Sequence, residues 1–379
     1  MNIVITGGNG FIGKNLKISL LERGFSSIKL VTRATTPEEF KSAVDDADLI
    51  YHLAGEMRAS QDIDFIEGNV HLTKELCAYV ADSARPIKII FTSSISAEST
   101  PDTTYSKTKY QAETDLRELS ENFGVPVVIY RLPHVFGKWA RPFYNSLIAT
   151  ACHSVSRGLA VVINNPASVI YPLHIDNLVD QLCGEIDSHN KILCTYAQIE
   201  NVHTISIGEM FDIVKSFADV HTDMKIEEVG VGLIRELYAT YVSYLPEEKF
   251  SYPLISHSDD RGTFVEFLKT KSSGQVSYFT ANPGVSRGNH YHHSKTEKFL
   301  VVYGRARFAF KSLVNGKQVS IDTSSDVPTV VDSIPGWVHN ITNIGDSVLI
   351  VMLWANEVFD KSKPDTIYSL ISNSSYEKA

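Results

Sequence analysis

Cysteine is scarce in this chain of 379 residues. There are four, Cys77, Cys152, Cys183 and Cys194, far apart and without a CxxC pair. That excludes a disulfide scaffold and a thiolate metal site, and it predicts reduced thiols in a cytoplasmic protein. Long apolar runs are also missing. The longest, residues 348–355, is too short to span a bilayer. The first strand begins at residue 2, so no secretory leader is expected. Basic residues are in the minority: Lys+Arg 35 against Asp+Glu 44 gives a net charge of −9. This argues against a dominant nucleic-acid or membrane-surface partner. Low-complexity segments and internal repeats are absent. What remains is 43% hydrophobic and 21% charged, an ordinary globular composition, in a chain long enough for two or three domains.

The first six residues form an apolar run rich in Ile and Val, the pattern of a buried parallel strand. Gly7-Gly8-Asn9-Gly10-Phe11-Ile12-Gly13 follows and opens a helical pattern. In a strand–glycine loop–helix context the glycines permit a tight turn, a close backbone approach to a pyrophosphate and tight helix packing. The phosphates then meet the positive end of the helix. The second strand, residues 28–32, ends at Arg33, where an acid would hold a ribose 2′-hydroxyl and a base accommodates a 2′-phosphate. NADPH is therefore expected over NADH, the alternative being a solvated surface arginine.

Tyr105 and Lys109 stand four apart at the start of a helix and share a face. An ammonium nearby makes a tyrosine hydroxyl a better acid–base group. Ser94 ends the strand just before and can hydrogen-bond a substrate carbonyl. The three together form a proton relay suited to hydride transfer. Lys107, two residues from Tyr105, faces away.

The GxxGxxG spacing, Ser94 with YxxxK and the RxxxVxG segment at Arg131, Val135 and Gly137 resemble the extended short-chain dehydrogenase/reductase family over residues 1–245. The resemblance implies a Rossmann-type doubly wound fold. It places Leu53 and Ala54 along the adenosine and ribose, and Asn69 where that region closes. It also places substrate contacts after Gly137. Asn145, Arg141 and His174 are candidates there, each with a structural alternative: loop capping, a solvated face or a satisfied core imidazole. The family's nucleotide-sugar dehydratases carry Asp-Glu directly after the catalytic hydroxyl. Here Ile95 and Ser96 follow Ser94, so reduction is expected rather than dehydration.

A helix over residues 230–246 carries Tyr238, Tyr241 and Tyr244 at three-residue spacing, a core or interface stripe. Short alternating strands broken by Gly, Asn and Pro then run to about Trp354, the pattern of a sandwich or small barrel. Within it His290 and His292 point to one face of a strand and His293 away. A turn returns Glu297 toward that face, and His339 lies on a later strand. Three imidazoles and a carboxylate suit a divalent first-row metal, Zn²⁺ being the simplest choice. The alternative is a barrel lined with hydrogen-bonded histidines.

Gly284, the HxH pair, Glu297 and Gly304 fit the first motif of the cupin family. Gly336, His339 and Asn343 fit the second with one displaced proline and a missing glycine. A cupin is a double-stranded β-helix. Arg261, Phe264 and Glu266, then Arg287-Gly288-Asn289-His290-Tyr291, then the IPGWVH segment also resemble the dTDP-sugar 3,5-epimerases. That likeness implies substrate contacts at Arg261, Glu266 and Arg287. It makes His290 both the epimerase base position and a metal ligand, and Glu297 stands where those epimerases carry a lysine.

Taken together, the chain resembles the bifunctional capsular-polysaccharide enzymes that join a reductase to an epimerase-like cupin. The resemblance implies an NADPH-binding reductase domain over residues 1–246 and a metal-binding cupin domain over 247–379. It implies C3 epimerisation of a UDP-4-keto-6-deoxy-N-acetylhexosamine, then reduction at C4, giving UDP-2-acetamido-2,6-dideoxy-L-talose for capsule or O-antigen. The alternative is a single-activity ketosugar reductase whose cupin only binds sugar or dimerises. A homodimer is expected.

Overall fold

The computed structural model describes residues 1–83, 85–98, 102–188, 193–313, 315–362 and 364–371, without the side chains of residues 219, 221 and 222. Two units are present, Met1–Val214 with Arg235–Pro246, and Lys215–Ile234 with Glu247–Ala379.

The first unit is built on a parallel sheet. Strands β1 (Ile3–Thr6), β2 (Ile28–Val31), β3 (Leu49–His52), β4 (Lys88–Ser94), β5 (Val127–Leu132) and β6 (Cys194–Tyr196) lie in the order β2-β1-β3-β4-β5-β6. Alternate side chains of each strand feed two separate cores. Val4, Ile50, Ile89 and Phe91 pack under helices α2 (Pro37–Asp45), α3 (Leu72–Asp82) and α4 (Thr104–Phe123). Ile3, Ile5, Tyr51, Ile90 and Tyr130 pack under α1 (Phe11–Glu22) and α5 (Ile175–Gly184). Burial on both faces explains why these strands read as continuous apolar runs. The chain leaves β1 in opposite directions to reach β2 and β3, so the crevice that such sheets offer to ligands opens between the ends of β1 and β3.

The second unit is two mainly antiparallel sheets around one core. Its strands are β7 (Lys225–Ile226), β8 (Ser256–Asp259), β9 (Gly262–Thr270), β10 (Gln275–Ala281), β11 (Ser286–Tyr291), β12 (Glu297–Tyr303), β13 (Arg305–Ser312), β14 (Gln318–Ser324), β15 (Val330–Asp332), β16 (Trp337–Asn343), β17 (Leu349–Ala355) and β18 (Ile367–Tyr368). One sheet runs β7-β9-β10-β17-β12-β15, with β8 also on β9; the other runs β14-β13-β16-β11-β18. Phe279, Phe299, Val301, Phe308, Phe310, Ile341 and Val351 fill the space between them.

The sequence reading assigns residues 215–234 to the first domain. Most of that segment's contacts lie in the second unit, where the two-residue strand β7 pairs in parallel with the end of β9. A pairing so short and so distant in sequence leaves no periodic signal. The expected helix after it is shorter than its pattern, running Gly232–Val242.

Candidate functional sites

In the first unit the glycine loop turns at the end of β1. Gly7 has φ +68°, and a Cβ there would lie 2.8 Å from Ala54 Cα. A Cβ on Gly13 would run into the Gly7 carbonyl oxygen. Both positions therefore require glycine, one for the turn and one for helix packing. Helix α1 is preceded by Gly10 at its cap position, with no side-chain cap and no acid in its first turn, leaving its first amides available to an anion. Phe11, Ile12 and Leu53 pack on the adjoining core.

The loop after β3 is held from behind. Buried Asn69 accepts from the Glu56 amide at 2.8 Å, and its Nδ2 donates to the Glu56 carbonyl at 3.1 Å and to Thr108 Oγ1 at 3.0 Å. Asn69 sits in a π-helical turn, Ile66–His71, a distortion often found where a side chain has a specific task. Behind it His52 bridges Thr6 Oγ1 (2.8 Å) and Thr73 Oγ1 (2.9 Å), and burial pushes its pKa down to about 3. Thr6 Oγ1 in turn accepts from the Ala54 amide at 3.1 Å. These hydrogen bonds fix residues 54–56 at the mouth of the crevice.

Arg33, at the end of β2, does not stand free. Its Nη2 lies 2.6 Å from Glu56 Oε2, while Glu56 Oε1 accepts from the Tyr144 hydroxyl at 2.6 Å. The guanidinium is 91% exposed, the carboxylate 13%. Glu56 and Tyr144 are absent from the sequence reading; the signal available for Glu56 was its place directly after Leu53-Ala54-Gly55. Asn145, on the same loop as Tyr144, has φ +57° and donates to the Met57 carbonyl at 3.3 Å. Trp139 and Phe143 are also left-handed, so three non-glycine residues of one short loop hold a backbone that costs about 1–3 kcal/mol each and is concentrated at functional sites.

Ser94 and Tyr105 meet at the end of β4 and the start of α4, and Lys109, four residues on along α4, reaches the same strand at Thr92. Ser94 Oγ caps a 3-10 turn and lies 2.9 Å from Ser96 Oγ. Burial raises the Tyr105 pKa, and a hydrogen bond with Ser94 partly offsets this. Lys109 is buried, donates to the Thr92 carbonyl at 2.7 Å and lies 4.2 Å over the Phe91 ring. Burial drives its pKa down to about 7, against the pull of Glu113. Arg131 forms a two-pronged ion pair with fully buried Glu113, at 3.0 and 2.7 Å.

In the second unit His290, His292, Glu297 and His339 each offer a ligand atom, all within 4.8 Å of one another. The strands explain how. His290 on β11 pairs directly with His339 on β16, and Glu297 begins β12. A bulge at Asn289 (φ +61°) interrupts β11. Arg287 faces Ile341 before it and His290 faces His339 after it, so Arg287 and His290 share a face although three residues apart. His292 Nε2 lies 3.0 Å from Glu297 Oε2, and Lys295 Nζ lies 3.2 Å from Oε1. Burial opposes ionisation of Glu297, yet the adjacent His292 and His339 and the charge of Lys295 hold its carboxyl well below the usual range. Burial, then His339, pushes the His290 pKa down to about 4.

Two observations fit this set to a cation. His339 is buried, and neither ring nitrogen has a hydrogen-bond partner among the described residues; its Nε2 stands 3.4 Å from Glu297 Oε2. The Nδ1–H of His292 donates to the Asp365 carbonyl, so the neutral ring turns a lone pair at Nε2 toward a carboxylate oxygen. Two acceptors face each other there unless a proton or a metal ion lies between them.

The other expected substrate residues divide. Arg261 pairs with Asp259 at 2.5 Å, and both act electrostatically on Arg287. Arg287 donates to the Thr280 carbonyl at 3.1 Å and covers the Phe279 ring at 5.3 Å. Glu266 is instead paired with Lys269 at 3.0 Å.

Comparison with known proteins gives two family matches: the NAD dependent epimerase/dehydratase family over residues 3–183, and the polysaccharide biosynthesis C-terminal domain over residues 257–367. The UDP-2-acetamido-2,6-beta-L-arabino-hexul-4-ose reductase of Pseudomonas aeruginosa is 45% identical over 97% of this chain and 98% of its own length. The crystal structure of the capsular polysaccharide assembling protein CapF from Staphylococcus aureus matches with a TM-score of 0.89 at 38% identity, covering 98% of this chain and all of that one. A UDP-glucose 4-epimerase of Thermus thermophilus solved with NAD, 16% identical over 64% of this chain and 99% of its own, matches at a TM-score of 0.55 and shares the fold of the first unit.

Proposed function

Because this chain belongs to the CapF family, we propose that it is a bifunctional nucleotide-sugar enzyme that epimerises C3 of a UDP-4-keto-6-deoxy-N-acetylhexosamine and then reduces its C4 ketone. What supports the reductive half is the hydrogen bond between Tyr105 and Ser94 at the end of β4, with buried Lys109 four residues along the same helix and bonded to the Thr92 carbonyl of that strand. NADPH, when bound, supplies the hydride. Gly7, Gly10 and Gly13 with the start of α1 would hold its pyrophosphate, residues 53–56 its adenosine side, and Arg33 its 2′-phosphate. Ser94 donates a hydrogen bond to the ketone oxygen. Tyr105 gives its proton to that oxygen as C4 is reduced, and the Lys109 ammonium stabilises the phenolate left behind.

The second unit takes the C3 step. A C3–H is acidic only while C4 is a ketone, because the carbonyl delocalises the carbanion. Epimerisation therefore precedes reduction, and reduction locks the new configuration. Its fold is read as a cupin, with His290, His292, Glu297 and His339 holding a divalent ion such as Zn²⁺. An ion there would supply positive charge that fixes three imidazoles and a carboxylate in one arrangement, or polarises a carbonyl oxygen. Arg261 and Arg287 carry the charge suited to the UDP diphosphate.

The test is an NMR time course in D₂O with the ketosugar nucleotide. Deuterium is expected at C3 without NADPH, and the 4-hydroxy product only with it. Tyr105→Phe should keep the exchange and lose the reduction. Reduction with no exchange at C3 would leave the second unit as a noncatalytic sugar-binding module. That reading draws support from the engagement of both Glu297 oxygens, Oε2 by His292 and Oε1 by Lys295.

A further inference from the structure

We propose that Asp365 is a positioning residue for the metal centre of the second unit, and that residues 364–369 act as a strap that keeps the ligand loop in its binding shape. The proposal rests on the reading of His290, His292, Glu297 and His339 as metal ligands.

Asp365 lies 73 residues from His292 in sequence. Its main-chain carbonyl accepts the Nδ1–H of His292. This fixes the tautomer, leaving Nε2 with the lone pair that a cation requires, and it fixes the ring plane. Its carboxylate meets the backbone of the following three residues. Oδ1 accepts from the His293 amide at 2.8 Å, and Oδ2 accepts from the amides of Ser294 at 2.7 Å and Lys295 at 2.8 Å, with the Ser294 hydroxyl at 3.1 Å. One residue thus uses its carbonyl on the ligand itself and its side chain on the turn that carries the chain from His292 to Glu297. These amide bonds hold the carboxyl well below its usual range.

The strap is anchored on both sides of this contact. Downstream, β18 pairs with β11, joining Tyr368 to His290 and Ile367 to Tyr291, and the Ser369 amide donates to the Asn289 carbonyl at 2.8 Å. Upstream, the Phe359 amide donates to Gln275 Oε1 at 3.0 Å, and the Phe359 ring lies 6.0 Å from the Lys295 ammonium. The segment therefore touches His290, His292 and Lys295, the groups that surround Glu297. Without the carboxylate, three consecutive amides lose their acceptor and the turn is free to move His292 away from its partners. Outer partners of metal ligands typically contribute about 10–100-fold in affinity.

The experiment uses the full, tag-free chain loaded with Zn²⁺. Metal content of the unmodified protein is measured first; well under one equivalent would overturn the ligand reading, and this inference with it. Release is then followed with a chromophoric chelator. Asp365→Ala is expected to release Zn²⁺ about 10–100 times faster, with faster amide exchange at His293, Ser294 and Lys295. Asp365→Asn, which keeps one acceptor oxygen, should fall between. Asp332→Ala, which breaks an exposed ion pair with Lys298 in the same unit, should match the unmodified protein. A fully loaded protein whose Asp365→Ala variant releases metal at the original rate would overturn the role of Asp365 and leave the ligand set standing. Equal acceleration in Asp332→Ala would reduce the effect to general destabilisation and overturn it too.

Discussion

The Arg33 guanidinium lies 2.6 Å from the Glu56 carboxylate, joining the ends of strands β2 and β3 across the mouth of the crevice. The residue expected to meet a 2′-phosphate is thus already held by an acid, and that acid is held by Tyr144 from the strained loop. A phosphate would compete with Glu56 for Arg33.

Cofactor choice should follow this competition. Arg33→Ala is expected to lower kcat/KM for NADPH by about 10–100-fold, hydrogen bonds to charged groups being worth about 1.5–3 kcal/mol, with little change for NADH. Glu56→Gln should shift preference further toward NADPH. Equal kcat/KM for the two cofactors in the unmodified enzyme would sink the assignment of Arg33.

Lys109 sets a pH dependence. Burial lowers its pKa from 10.5 to about 7. Its charged form declines as pH rises through 7, so kcat/KM for ketone reduction should fall above that pH, and Lys109→Arg should remove the fall. Stability moves the other way. Between pH 7 and 10 the unfolded chain binds a proton that the folded chain does not, so this group makes the cofactor-free protein more stable as pH rises across that window. Urea titrations at several pH values should show the trend in the unmodified protein and lose it in Lys109→Met.

Glu113 is fully buried and answers Arg131 at 2.7 Å. Glu113→Ala leaves a half-buried guanidinium without its partner and should cost about 3–5 kcal/mol in denaturant unfolding. The double variant Glu113→Ala, Arg131→Met should recover part of the loss.

Metal should stabilise the chain by mass action. Zn²⁺ at a hundred times its Kd is expected to add about 2.7 kcal/mol to unfolding. His339→Gln should abolish that gain while leaving the urea unfolding of the first unit where it was. An unmodified protein indifferent to Zn²⁺ and to chelator would contradict the ligand set.

Most of the parts legible in sequence have residues close along the chain; His339, distant from Glu297, was legible because its own segment fits a family motif. The glycine loop, Ser94 with Tyr105 and Lys109, and His290, His292 and Glu297 have local spacing that states their geometry. What escaped reading is formed by distant pairs. Glu56 finds Arg33 across 23 residues and Tyr144 across 88. Asp365 acts partly through a main-chain carbonyl, which carries no residue identity at all. Residues 215–234 group with the second unit through a two-residue strand. Glu266, matched to a substrate position by motif, is paired with Lys269.

The bulge at Asn289 gives one last consequence. A strand side chain changes sides with every residue, so one extra residue works as a frameshift in space. Everything on β11 before Asn289 is turned over relative to everything after it. Without the bulge, plain alternation would set Arg287 and His290, three residues apart, on opposite faces; the extra residue brings them to one. The linear spacing of a motif and the facing of its side chains are separate quantities here, and a single left-handed asparagine sets the second.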